Sequence, residues 1–143
     1  MENSYLTEGQ TEWLISKGIT LSDDPWIKVY KKACFWGDKE WFYIRKSGLN
    51  HFKREFLKKE FDKYINSEQP VFSTLELLDK ILNFQKKFPG TNLMLMVDKE
   101  GNYQCSFEDP RVEGSDGIIL LKNKTFEMLI FDLVKELIKY NIS

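Results

Sequence analysis

Aromatic and cationic side chains are concentrated in residues 26–45 of this chain. The stretch reads WIKVYKKACFWGDKEWFYIR and contains three of the four tryptophans, with lysines between the aromatic residues. Tryptophan, tyrosine and arginine contribute much of the binding energy at protein interfaces. Aromatic rings beside cations also bind the bases and phosphates of nucleic acids. The stretch is therefore the first candidate for a binding surface.

A turn at residues 37–40, GDKE, divides the stretch into the two strands of a predicted β-hairpin. Gly37 suits the first central position of a type II′ turn, and a four-residue loop is the alternative. Both loops have an even number of residues, so both assign the side chains to the same two faces. A three-residue loop would mix the faces, and a bulge at Lys31–Lys32 would exchange them in the first strand.

The predicted hairpin has one apolar and one amphipathic face. The apolar face, which we expect to be buried, carries Ala33, Phe35, Phe42 and Ile44. The other, here named the aromatic–cationic face, carries Tyr30, Lys32, Cys34, Trp36, Trp41, Tyr43 and Arg45. We predict that the binding residues on this face are Lys32, Trp36, Trp41, Tyr43 and Arg45. In the competing interpretation a helix of the same chain covers the face, because tryptophan is highly buried on average.

Few residues suit nucleophilic catalysis. His51 is the single histidine and lies in a lysine-rich segment near a predicted helix start. A cysteine nucleophile needs a base beside it, and nothing in the spacing requires Cys34 to face His51. The sequence has neither a Walker glycine loop nor a Gly-x-Gly-x-x-Gly motif. We therefore predict no catalytic residues and favour a protein that is not an enzyme.

Metal and anion sites are weakly indicated. Zinc sites use about four Cys and His ligands, and the chain has only Cys34, His51 and Cys105. An acidic loop could bind a hard cation, although its spacing does not match an EF-hand; its acidic residues are Glu108, Asp109, Glu113 and Asp116. Free backbone N–H groups at Ser47-Gly48 could hold an anion, with His51 and Arg54 as possible anion or nucleotide contacts. We predict no metal and no cofactor.

The elements that must position these residues alternate between helices and hairpins. Helices are predicted at residues 7–17, from 49 or 50 to 65, 73–88 and 125–140, with a second hairpin at 93–107 and a short buried strand at 117–121. Residues 66–70 are predicted to be a linker, and residues 1–6 to be disordered. This order predicts the α+β class. We expect one antiparallel sheet, built from the two hairpins and the short strand, packed with about four helices in a single domain of residues 1–143.

The second hairpin has the better-defined register. Gly101 favours a three-residue loop, residues 99–101, that ends in a G1 bulge and pairs Asp98 with Asn102. One face then carries Leu93, Leu95, Val97, Tyr103, Cys105 and Phe107. The other carries Met94, Met96, Asn102, Gln104 and Ser106. The loop rule and the hydrophobic pattern agree, which strengthens the assignment.

Helix boundaries follow from capping residues. Thr7 with Gln10 and Ser73 with Glu76 have the spacing of capping boxes. We expect Trp13 and Leu14 to be the buried residues of the first helix. The apolar side of the third helix is predicted to contain Leu75, Leu78, Leu82 and Phe88. The last helix is apolar around more than half its circumference, so it belongs to the core or to an oligomer interface.

The length and net charge of the chain limit its number of domains and the classes of partner it can attract. A chain of 143 residues can form one domain with a substantial core. Its formal net charge of −1 provides no general attraction to extended nucleic acid or to anionic membranes. We see no signal peptide and no apolar run of the roughly 20 residues needed to span a bilayer.

The cysteine content indicates the cellular compartment, and the amino-acid composition indicates the type of genome. Two cysteines do not make a disulfide framework, and free thiols are typical of a reducing cytoplasm. We therefore expect a cytoplasmic protein without membrane contacts. The excess of lysine over arginine is typical of proteins from AT-rich bacterial or phage genomes.

Three functions agree with these observations. The first is a non-catalytic binding protein whose aromatic–cationic face contacts a protein partner or a second copy of the chain, as in a homodimer. The second is the binding of a small nucleotide or of single-stranded nucleic acid. The third is an enzyme without a recognisable motif. The sequence favours the first.

Overall fold

The structure is a computed structural model that describes residues 4–31, 41–55, 65–112 and 117–140, without the side chains of residues 30, 31 and 65–67. Within these ranges it contains four α-helices and six antiparallel β-strands, which confirms the predicted α+β class. The strands form two three-stranded sheets where the sequence led us to expect one. The chain divides into two compact units, and each is described by itself.

The first unit contains residues Leu6–Ser16 and Thr20–Phe72. Its elements in chain order are α1 (Glu8–Ser16), β1 (Trp26–Lys31), β2 (Trp41–Arg45), α2 (Lys46–Glu55) and β3 (Ile65–Val71). The strand order is β2-β1-β3, with β1 antiparallel to both neighbours. β1 is therefore the central strand of this sheet.

The pairing of β1 with β2 confirms the predicted faces for the residues that the structure describes. Val29 lies opposite Phe42 and Ile27 opposite Ile44, so these four side chains share one face. Ile27 and Val29 are buried with Leu49 of α2, and Phe42 and Ile44 pack against them. The predictions for residues 32–36 and for the Gly37 turn lie outside the described residues.

The third strand of this sheet corrects two predictions. Residues 66–70 were predicted to be a linker, but they lie in β3, and residues 67–70 pair with β1. The predicted helix cannot reach residue 65, since Ile65 is in β3; α2 begins at Lys46 and is described to Glu55. Pro70 lies opposite Ile27, and proline is tolerated at sheet edges because it cannot donate a ladder hydrogen bond.

Helix α1 begins as predicted. The Thr7 N–H donates to Gln10 Oε1 at 2.9 Å, and the Gln10 N–H donates to Thr7 Oγ1 at 3.1 Å, which completes the capping box. Leu14 is buried, but the burial predicted for Trp13 is wrong, because its side chain is 36% exposed. Thr11 is buried instead and accepts the Phe72 N–H at 3.2 Å.

The beginning of the chain is more ordered than expected from residue 4 onward. Leu6 is buried in the first unit and its N–H donates to the Phe72 carbonyl at 2.9 Å. In the second unit the Thr74 N–H donates to the Ser4 carbonyl at 2.8 Å. Backbone pairing to residues far along the chain therefore fixes residues that we expected to be disordered.

The second unit contains residues 1–5, Lys17–Ile19 and Ser73–Ser143. Its elements are α3 (Thr74–Lys87), β4 (Asn92–Val97), β5 (Tyr103–Glu108), β6 (Ile118–Asn123), α4 (Phe126–Leu137) and a 3₁₀ turn (Ile138–Tyr140). The strand order is β4-β5-β6. Here β5 is the central strand, antiparallel to both neighbours.

The register predicted for the second hairpin is confirmed. The Asp98 N–H donates to the Asn102 carbonyl at 2.9 Å, and Gly101 has a positive φ of 82°. Leu95 pairs with Cys105 and Met96 with Gln104, as the three-residue loop requires. The strand predicted at residues 117–121 is seen as β6, but it is not wholly buried, because its side chains alternate and Leu120 is 75% exposed.

In this unit the predicted cap at Ser73 is observed, but the predicted apolar side of α3 is only partly correct. Ser73 Oγ accepts the Glu76 N–H at 3.1 Å, as predicted. The buried residues of α3 include Leu77, Ile81 and Phe84, whereas Leu75 and Leu82 are exposed, so the predicted apolar side was wrong at those two positions. Helix α4 buries six apolar residues: Leu129, Ile130, Phe131, Leu133, Val134 and Leu137. Of the two alternatives for α4, the core is therefore the one observed.

Asp98 organises the loop between β4 and β5. Its Oδ1 accepts the N–H groups of Glu100 and Asn102, while Oδ2 accepts from Gln104 Nε2 and lies 3.2 Å from Lys122 Nζ. Desolvation alone would raise the pKa of Asp98, but these hydrogen bonds outweigh it and lower the pKa to about 2.

This lowered pKa predicts a pH-dependent loss of stability. The carboxylate of Asp98 stabilises the fold fully above its ordinary pKa near 4, and this contribution disappears as the pH falls through about 2. We expect Asp98→Ala to be less stable than wild type at pH 7 and the difference to shrink between about pH 4 and pH 2. Urea unfolding at several pH values measures this difference. A difference that stays constant over the range would contradict the role assigned to the carboxylate.

Candidate binding surface

Strands β1 and β2 place five large side chains on the aromatic–cationic face. In the antiparallel register Trp26 lies opposite Arg45, Lys28 opposite Tyr43, and Tyr30 opposite Trp41. Paired residues of an antiparallel ladder direct their side chains to the same face. Trp26 and Lys28 therefore extend the predicted face, and the described side chains on it are Trp26, Lys28, Trp41, Tyr43 and Arg45.

Exposure differs strongly along this face. Trp41 is 56% exposed, whereas Trp26, Lys28, Tyr43 and Arg45 are half-buried. Tryptophan is highly buried on average, so the exposure of Trp41 makes it the first candidate for a contact residue on this face. The described part of this face is thus neither fully exposed to solvent nor fully buried, and Trp41 is its most exposed side chain.

Lys28 contacts two of the three aromatic residues of β2, Trp41 and Tyr43, and also Glu8 of α1. Its Nζ lies 4.9 Å from the centroid of the Trp41 ring and 6.0 Å from that of Tyr43, distances at which a cation is attracted to an aromatic face. The same Nζ is 3.4 Å from Glu8 Oε1. These contacts orient Trp41 while leaving more than half of its surface accessible.

Arg45 is engaged at the other end of the face. Its guanidinium carbon lies 4.4 Å from the centroid of the Trp26 ring, and its Nη1 donates to the Asp24 carbonyl at 2.9 Å. Both described cations of the face are therefore bound to groups of this chain. Sequence reasoning missed Lys28 and Trp26, although continuing the alternation backwards from Tyr30 would have found them.

The anion predicted at Ser47-Gly48 is supplied by the chain itself. Asp24 Oδ1 accepts the Ser47 N–H and Asp24 Oδ2 accepts the Ser47 hydroxyl, both at 2.8 Å. These hydrogen bonds, the backbone one foremost, lower the pKa of the Asp24 carboxyl below its ordinary value. Because α2 begins at Lys46, the Asp24 carboxylate occupies the helix N-terminus at which the sequence suggested that an anion could bind.

The remaining predicted site residues are only partly described. His51 and Arg54 are exposed on α2, whose neighbouring Lys53 bridges to Glu68 of β3 at 2.9 Å. Lys32 and Trp36 lie outside the described residues. The structure therefore places Trp41, Tyr43 and Arg45 together on one face, with His51 and Arg54 on the helix that follows them.

The other residues that could act as a nucleophile or a metal ligand are buried or held by contacts within the chain. Cys105 is a buried free thiol, and desolvation raises its pKa to about 11, so it is a poor nucleophile at neutral pH. Asp109, of the predicted acidic loop, is buried and receives two side-chain nitrogens of Arg111, at 2.6 Å from Nη2 and 3.1 Å from Nε. Glu113 and Asp116 lie outside the described residues, among which no group of three or more His, Cys, Asp or Glu side chains is arranged to hold a metal ion.

Comparisons of the chain with protein-family models, with curated proteins and with solved structures give no match. In the part of the chain that the structure describes, every helix is too short or too polar to cross a membrane. The functional argument therefore depends on the geometry of the surface alone.

The two faces of the first sheet should respond differently to truncation. We expect Trp41→Ala to lower the free energy of unfolding by less than about 1 kcal/mol, because more than half of the Trp41 surface is already in contact with water. Val29→Ala, on the buried face of the paired strand, should cost about 2 kcal/mol, because it removes buried methyl groups and leaves a cavity. Chemical denaturation measures both variants, and equal losses would place Trp41 in the core.

Proposed function

We propose that this protein is a non-catalytic binding protein that contacts a protein partner, or a second copy of itself, through the aromatic–cationic face. The observation that carries the proposal is the exposure of Trp41 on a strand whose opposite face is buried. Tryptophan is the residue most enriched among those that dominate interface energetics. A rigid sheet presents such an anchor at low entropic cost, because the strand does not have to become ordered on binding.

The two described cations of this face, Lys28 and Arg45, already contact other groups of this chain. These contacts favour a protein as the binding partner over a nucleotide or a single-stranded nucleic acid. Phosphate recognition needs cations that can turn toward the ligand, whereas Lys28 binds Glu8 and Arg45 binds the Asp24 carbonyl. Lys28 also lies over the Trp41 ring, on a surface that a stacked base would use. The net charge of −1 likewise provides no attraction to a polyanion.

We further propose that the protein acts in the cytoplasm. Cys105 is a free, buried thiol, and free thiols persist in reducing compartments.

Site-specific photocrosslinking tests the proposed surface. The photoreactive residue benzoylphenylalanine replaces Trp41 in one variant and Trp13 in the other, and each purified protein is irradiated in an extract of the cells that make it. Trp13 is the matched control because it is also an exposed tryptophan of the first unit but lies on α1. We expect a discrete protein adduct from position 41 that position 13 does not give.

Competition makes the test quantitative. Excess wild-type protein should suppress the adduct, whereas Trp41→Ala should need at least about tenfold more protein, since losing an interface tryptophan costs 2 kcal/mol or more. An adduct with twice the mass of the chain identifies self-association through this face. Equal adducts from positions 41 and 13, or equal competition by Trp41→Ala, would refute the proposed function.

A further inference from the structure

Strand β4 exposes apolar side chains on both of its faces. Met94 and Met96 are each 52% exposed, Val97 is 61% exposed, and Leu95 is 42% exposed. β4 is at the edge of its sheet among the described residues, since the order is β4-β5-β6. Its six residues, Asn92–Val97, contain no charge, no proline and no break in register. Natural edge strands usually carry such features because an unprotected edge pairs with other strands.

The hydrogen-bonding pattern of β4 determines which of its backbone N–H and C=O groups point away from β5. The Asp98 N–H donates to the Asn102 carbonyl, so Asp98 bonds toward β5. Hydrogen bonding alternates along an antiparallel strand, and Met96 and Met94 therefore also bond toward β5. The N–H and C=O groups of Leu93, Leu95 and Val97 consequently point away from β5, to the open edge.

We propose that β4 pairs antiparallel with β4 of a second copy, which joins two three-stranded sheets into one continuous sheet. A two-fold axis at Leu95 pairs Leu95 with Leu95 and Leu93 with Val97 of the second copy. This register uses all three outward-facing residues, and each pair exchanges both of its hydrogen bonds. The contact is the same patch on both copies, as in the commonest symmetric dimers.

The side chains of this register are complementary. Met94 lies opposite Met96 of the second copy on the outer face, which buries two half-exposed side chains at each position. A cavity of about 190 Å³ opens beside β4. Leu95, Val97, Tyr103, Phe126 and Leu129 line it from the inner face, and Met96 and Gln104 of the outer face also border it. Leu93 of the second copy, opposite Val97, is on the face that holds this cavity. An apolar side chain at its mouth removes apolar surface from water.

Charge favours a second copy as the occupant of the edge. The paired segment carries no charge, and the register places Asp98 opposite Asn92, Lys99 opposite Thr91 and Glu100 opposite Gly90. No like charges face one another, and facing like charges would destabilise the pairing. A strand from an acidic or basic partner would instead place charged groups beside Met94 and Met96 without counter-charges.

Sedimentation equilibrium of the purified full chain tests the pairing. We expect wild type to approach twice the monomer mass as its concentration increases. Val97→Lys should raise the dissociation constant by at least about tenfold, because a lysine on an edge strand opposes pairing. Leu120→Lys is the matched control: Leu120 is also an exposed apolar residue of this sheet, but it lies on β6. It should associate like wild type, and circular dichroism should show that both variants are folded.

Cysteine crosslinking tests the register itself. In a Cys34→Ser, Cys105→Ala background, Leu95→Cys should form an intermolecular disulfide on mild oxidation, because the two paired Cα atoms would be about 5.5 Å apart. Met94→Cys is the control, since its counterpart lies diagonally at about 7–8 Å, beyond the usual disulfide range. Cys105 has to be removed because it lies directly opposite Leu95 on β5 and could form an intramolecular disulfide with a cysteine at that position.

The outcomes separate this proposal from the proposed function. A monomer at every concentration, equal association of Val97→Lys and wild type, or a stronger effect of Leu120→Lys would each overturn the β4 pairing. Equal crosslinking at positions 94 and 95 would overturn the register and with it the proposed dimer. Trp41→Ala should leave the dimer intact, and Val97→Lys should leave the adduct from position 41 intact, so either proposal can fail alone.

Discussion

Each unit depends on one strand that is hydrogen-bonded along both of its edges. β1 pairs with β2 and β3, and β5 pairs with β4 and β6. Such a strand has no freedom to slide, because a shift of one residue would move its buried side chains to the opposite face. Val29 in β1 and Phe107 in β5 are fully buried. Burial of these residues fixes the register, and the register decides which side chains the other face presents.

The sequence predicted structure best where two local rules agreed. The loop after Asp98 and the apolar alternation of β4 and β5 select one register, and that register is observed. The faces of β1 and β2 followed from the alternation of side chains along each strand. Prediction of Trp41, Tyr43 and Arg45 as neighbours needed nothing more than this alternation.

The missed features depend on partners distant in the sequence. β3 reads INSEQPV, and apart from Pro70 its apolar residues are only the two at its ends, Ile65 and Val71. It is a strand because β1 provides its hydrogen bonds. The side of α3 was misjudged because leucines surround the helix, and tertiary packing chose Leu77 and Ile81 over Leu75 and Leu82. The contact between Lys28 and Glu8 likewise joins two elements whose relative placement no local rule provides. Pattern alone therefore identified the face, whereas tertiary contacts decided which of its cations are engaged.

The caps of the helices differ in how far along the chain their partners lie. Thr7, Ser73 and Thr125 each cap a helix through a residue three positions away, so α1, α3 and α4 have their caps as soon as they form. α2 is different, because its Ser47 is capped by Asp24, 23 positions earlier in the chain. The intervening segment must first close a loop, whose entropic cost precedes the gain from the cap. The first turn of α2 therefore depends on the packing of distant segments, whereas the caps of the other three helices are local.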